Sequence, residues 1–249
     1  MLSTLIQKEL KLILLSPKFA VTFSLCAGLL LLSVYAGIRE YRAAARQYEA
    51  ATQLVSQELR EQSNWTSLNN RTYREADPMQ IFVSGVNNDI GRWSSITQLE
   101  PVKLRQSVYS DDPIFALFRF FDFGFIVKSV LSLFAFLFTY DAINGERESG
   151  TLAVTFSNSL PRGKYLIAKF AGSWLGLVIP LTVPVALSML LLFVFSVPFG
   201  ASDWYRLMLL LAVSVAYFTF FIAFGLLVST FTRHSNIAFL LCLVSWITI

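Results

Sequence analysis

Between Lys18 and Arg39 the chain runs from Phe19 to Ile38, twenty residues, without a charge. In hydrocarbon every backbone N–H and C=O must be satisfied within the segment itself, so a single run of this kind folds as a helix. Twenty residues make about 30 Å of helix, the thickness of a bilayer core. Similar runs return near Phe121–Tyr140, at Phe170–Phe195 and at Trp204–Phe231, and a fifth opens at Ile237. The chain is 55% hydrophobic and only 14% charged, more apolar surface than a soluble domain of 249 residues can hide. The fold class is therefore an all-α polytopic membrane protein.

The flanks of these runs set the topology. Leu2, Leu5, Ile6, Leu10, Ile13 and Leu14 recur at helical spacing, with Lys8, Glu9 and Lys11 read as the opposite face. Residues 1–18 thus form an amphipathic helix suited to the membrane interface, and Pro17 turns the chain into the first span at 19–38. Lys8, Lys11 and Lys18 place the N-terminus in the cytoplasm of a multi-pass protein of the cell (inner or plasma) membrane. Residues 39–112 then form a small extracytoplasmic α or α+β insert. Arg39 to Arg119 holds ten basic and ten acidic residues, and so long a loop escapes the inside-positive bias. Tyr41, Ala45, Tyr48, Ala51, Val55 and Leu59 share one helical face, so the first helix continues outwards. Ile81–Val83 and Ser95–Leu99 read as strands around an Asn87-Asn88-Asp89 turn. Asn64-Trp65-Thr66 is a sequon that chance explains equally well.

Residues 113–249 hold the remaining spans. Asp112 is an N-cap with Pro113 at the first helical position, opening a helix that should reach Glu148. Pro180 and Pro184 should bend the third span. The fifth run, Ile237–Ile249, has thirteen residues and is too short to cross, so the native polypeptide is expected to continue beyond Ile249.

Catalytic chemistry finds little to work with. His234 is the one histidine, without a cysteine or carboxylate cluster near it in sequence, and a helix-end role is favoured over a metal site. Cys26 and Cys242 lie in apolar runs and imply no disulfide framework. G-E-R-E-S-G-T has phosphate-loop glycine spacing but lacks the lysine before Thr151 and follows no strand. Gly172-Ser173 reads as a small-residue packing contact rather than part of a protease. A net charge of +4 gives no reason to invoke nucleic acid. Lys128 shares a helical stripe with Phe121, Phe125, Ser132 and Thr139. That stripe faces either a translocation path or a protomer interface, or else the lysine simply snorkels outwards.

The polar island from Tyr140 to Phe170 is more informative. An acidic helix end, a glycine break, the apolar run Leu152–Phe156 and a basic re-entry form a compact knob. That apolar run wastes surface on water unless it packs against headgroups or another protein. The sequences G-E-R-E-S-G-T-L, S-L-P-R and I-A-K-F resemble the loop between the second and third spans of type 2 ABC transporter permeases. I-Q-K-E-L-K-L-I-L-L-S-P-K is similar to that family's N-terminal elbow helix. The long insert resembles the subgroup with a large extracytoplasmic domain, which includes permeases linked to gliding motility and copper-site maturation.

The resemblance implies a non-catalytic permease subunit, an exporter, with six spans of which the last is missing here. It implies two protomers, identical or different, in the lipid bilayer with two copies of a separate cytoplasmic ATP-binding subunit. ATP and Mg would be bound there, and no cofactor by this chain. Loop 141–164 would hold the coupling helix. Glu146, Arg147, Glu148, Gly150, Thr151, Leu152, Phe156, Pro161, Arg162 and Lys169 would form the ATPase-coupling set, Glu146 and Glu148 orienting it and Leu152–Phe156 docking. The competing reading is a membrane scaffold whose extracytoplasmic domain recruits a partner without transport. The substrate is not legible, since phenylalanine-rich spans suit lipophilic cargo and lipid contact equally.

Overall fold

The computed structural model describes residues 2–61, 70–85, 93–96, 104–105, 122–157 and 160–248. The sequon, the Asn87-Asn88-Asp89 turn and the Asp112-Pro113 helix start lie outside them. Helix α1 spans Leu2–Leu14, and α2 runs unbroken from Pro17 to Glu61. A second helix after the first apolar run is thereby unnecessary. Residues past Ile38 are rich in Ala, Gln, Glu and Arg, strong helix formers, and continue the same helix.

The chain divides into two compact units. One contains residues 32–124 and 190–206. In it, strands β1 (Asn70–Tyr73), β2 (Trp93–Ile96) and β3 (Leu104–Arg105) form an antiparallel sheet in the order β1-β2-β3. Asn70 pairs with Ile96 and Trp93 with Arg105. The expected strand at Ile81–Val83 is instead the end of a 3-10 turn, Pro78–Ile81. Asp77 caps that turn by accepting from the Met79 amide, and Pro78 presets its first residue. Ile81 and Phe82 are buried, Ile81 against Gly37 of α2, where a Cβ would collide with the Ile81 carbonyl. Phe82 meets the edges of Phe123 and Phe199.

The other unit contains residues 1–31, 125–189 and 207–249. Helix α3 is built of Phe123–Phe125, a π-helical stretch Ile126–Leu131 and Ser132–Thr139. It stops there. A turn at 140–143 separates it from α4 (Asn144–Glu148), so the single helix expected to reach Glu148 is broken. Ser229 explains the break, because its hydroxyl accepts from the Ile143 and Asn144 amides at 3.1 and 3.3 Å. Short helix α5 (Thr151–Ser157) comes next, then α6 (Arg162–Val194), α7 (Ala201–Phe231) and α8 (Ser235–Thr248).

Among the described residues, four helices are long and apolar enough to cross a membrane: those within Pro17–Glu58, Phe123–Glu148, Arg162–Val194 and Ala201–Phe231. Their packing uses close backbone approach. Gly225 of α7 lies against Thr139 and Phe136, where a Cβ would collide. Phe136 packs on Phe221 with ring centroids 5.0 Å apart. Trp246 of α8 donates to the Ser132 hydroxyl at 2.9 Å, and Trp174 of α6 to Thr219 of α7 at 2.8 Å.

Candidate functional site

The informative chemistry gathers around α4, five residues just beyond the last apolar turn of α3. Glu146 points inward. One carboxylate oxygen lies 3.0 Å from Lys169 Nζ and 3.2 Å from Lys8 Nζ, and the other accepts from the Tyr165 hydroxyl at 2.6 Å. Lys169 Nζ also lies 2.9 Å from Glu9 Oε1. The Lys169 and Glu146 side chains are 4% and 14% exposed. Two cations and two carboxylates thus form a mostly buried, neutral cluster joining α1, α4 and α6.

Glu9 corrects the sequence reading, which set it opposite the apolar face. At 100° per residue it falls between Leu5 and Ile13, inside the apolar arc, and the structure buries it there. Small residues on α6 make the fit possible. Gly172 lies under the Glu9 side chain and Gly176 under Ile13, so α1 sits directly on the α6 backbone.

The other end of α4 is tied to the α7–α8 turn. Arg147 donates to the Thr232 carbonyl at 2.8 Å. Glu148 accepts from both the backbone amide and the hydroxyl of Ser235, at 2.8 and 2.9 Å, and so caps α8 from another element. Asn144 is fully buried, its amide nitrogen towards the Ser229 and Thr232 carbonyls and its oxygen towards the Thr232 hydroxyl.

α5 differs from α4 in every respect. It begins after Gly150, whose φ of +75° suits glycine alone, and it has no buried residue. Thr151 bonds back to the Glu146 carbonyl at 3.2 Å. Leu152 and Phe156 are half-buried, the Phe156 ring 5.3 Å from that of Tyr165. Val154 is 67% exposed and is the apolar side chain that α5 offers outward. Pro161 and Arg162 are exposed where α6 begins.

The site residues expected from sequence therefore separate. Glu146, Arg147, Glu148 and Lys169 hold α4 in place, while Thr151 to Phe156 project from it. Lys8, Glu9, Tyr165, Asn144, Ser229 and Ser235 were missed; only the wheel position of Glu9 could have been read beforehand. Lys128 does not share a face with Ser132 and Thr139. It is exposed, whereas both hydroxyls are fully buried. The π-helical stretch adds a residue to its turn and rotates the C-terminal part of α3 by about 100° relative to a continuous α-helix.

Among the described residues no three His, Cys, Asp or Glu side chains are grouped to hold a metal ion. A family model described as ABC-2 family transporter protein matches residues 3–249. No curated protein matches the chain.

Proposed function

The chain belongs to the ABC-2 family of transporter proteins, and from that premise we propose that α5 is the element through which an ATP-binding subunit drives it. Membership makes the chain a multi-pass membrane permease component of an ABC transporter, associated with an ATP-binding subunit. The finer reading is ours. The chain is an exporter subunit with a cytoplasmic N-terminus, paired with a second protomer and with two separate ATP-binding subunits that hold ATP and Mg.

The observation that carries this reading is the contrast between α4 and α5. A seven-residue helix with an apolar side chain turned outward and no buried residue is poorly explained by its own packing. Its neighbour α4 is bound on one side to α1 and α6 and on the other to the α7–α8 turn. A push on α5 is therefore received by α4 and delivered to α1, α6 and the α7–α8 turn together. Docking energy comes from apolar contact, since burying one large side chain contributes about 1.5–3 kcal/mol.

The test is copurification of the ATP-binding subunit with tagged chain from its native membranes, the subunit being recognised by ATP hydrolysis. Val154→Asp and Leu152→Asp are expected to lose the subunit while the chain still inserts. Phe156→Asp is a poorer probe, because it also frees α5 from Tyr165. Wild-type retention of the subunit by both variants would remove α5 as the docking element and leave the scaffold reading standing.

A further inference from the structure

The outward side of α1 carries cations without an acid of its own. Glu9 is the only carboxylate in the helix, and it is turned in upon Lys169. Lys8 stays half exposed while it reaches Glu146, and Lys11 has no ion-pair partner among the described residues. Between them runs an open groove of about 540 Å³, lined in part by Gln7, Lys8, Lys11, Leu12, Leu15 and Ser16.

The groove is amphiphilic. Leu12 and Leu15 are 56% and 81% exposed, and Val21 and Leu25 of α2, the next helix, are exposed as well. The first candidate span begins at Pro17, directly after Ser16, the last residue in sequence to line the groove. A free anion would satisfy Lys11 and the exposed side of Lys8 and leave the leucines wet. An apolar ligand would do the reverse.

We propose that this groove is a binding site for an anionic phospholipid, with the phosphate between Lys8 and Lys11 and the acyl chains along Leu12, Leu15, Val21 and Leu25. A helix lying in the membrane interface binds through buried apolar area together with attraction to anionic headgroups, and this face supplies both. The inference rests on the membrane-spanning reading of α2, not on the role of α5.

The experiment measures lipid retention by the purified full chain in native mass spectrometry, comparing phosphatidylglycerol and phosphatidylcholine with identical acyl chains. Phosphatidylglycerol should bind more tightly. Lys11→Gln, which breaks no ion pair, should weaken it about fivefold, and adding Lys8→Gln, whose charge Glu146 partly offsets, should weaken it further but by less than a second factor of about five. Lys11→Arg should retain it, and Lys164→Gln, an exposed lysine outside the groove, should leave it unchanged. Leu12→Ser with Leu15→Ser should weaken both lipids. Equal retention of the two lipids by the wild type, or of phosphatidylglycerol by wild type and Lys11→Gln, would overturn the proposal. So would displacement of the lipid by excess inorganic phosphate, which would mark a simple anion site.

Discussion

Lys169 is the residue on which the cluster turns. It lies in a helix that reads as membrane span, yet it is nearly completely buried and shared by Glu9 and Glu146. Lys169→Met would leave two carboxylates aimed at one point without their common cation, and breaking a buried pair in this way costs about 3–5 kcal/mol. The variant is expected to unfold at a clearly lower temperature in lipid. Adding Glu9→Gln should recover part of the loss, because one of the stranded charges is then removed. An unchanged transition for Lys169→Met would mean that the cluster does not hold α1, α4 and α6 together. At this scale the sequence was only partly legible. Lys169 and Glu146 stood out through a resemblance, but their partnership joins residues 23 apart and brings in Glu9 from the N-terminal helix. Spacing alone carries no signal for such a contact.

Among the elements, the seat of α1 on α6 depends on missing side chains. Gly172→Ala would put a methyl group into the Glu9 side chain, whereas nothing lies within 4 Å of a Cβ at Gly163 of the same helix. Alanine is the better helix former by about 1 kcal/mol, so Gly163→Ala should hold or raise the thermal midpoint. Gly172→Ala should lower it and expose the backbone around Lys8 and Lys11 to trypsin. Equal behaviour of the two variants would mean that α1 is not packed on that glycine. Element boundaries were legible where apolar length set them, as in the helices ending at Phe231 and Val194. They were hidden where tertiary contacts decided. The sheet strands, NRTY and WSSI, lack an alternating apolar pattern. The break at 140–143 rests on Ser229, 86 residues from Ile143. The π-helical stretch, IVKSVL, has neither proline nor glycine to announce it.

For the whole molecule, the membrane class was legible from the length of uncharged runs, because the bilayer imposes it directly. The path of coupling was not, because it depends on which surface of α4 is fixed. The sequence reading assigned Glu146 and Glu148 to orienting the coupling element; in the structure both carboxylates bind groups of the chain itself. Arg147→Ala with Glu148→Ala should therefore leave α5 and the assembled transporter in place while loosening α4 from the α7–α8 turn, where Asn144 remains its tie. The expected outcome in proteoliposomes is ATP hydrolysis that persists while transport falls severalfold. Loss of the ATP-binding subunit from that variant would place the docking surface on α4 instead. The freedom of α5 also has a meaning for descent. Because no residue of Thr151–Ser157 is fully buried, the fold places little demand on those seven residues beyond helicity, the Thr151 bond to the Glu146 carbonyl, half-buried Leu152 and the contact of Phe156 with Tyr165. They are free to drift, or to be exchanged between lineages, at the pace of whatever they touch. The neutral cluster beneath them can change only as a set.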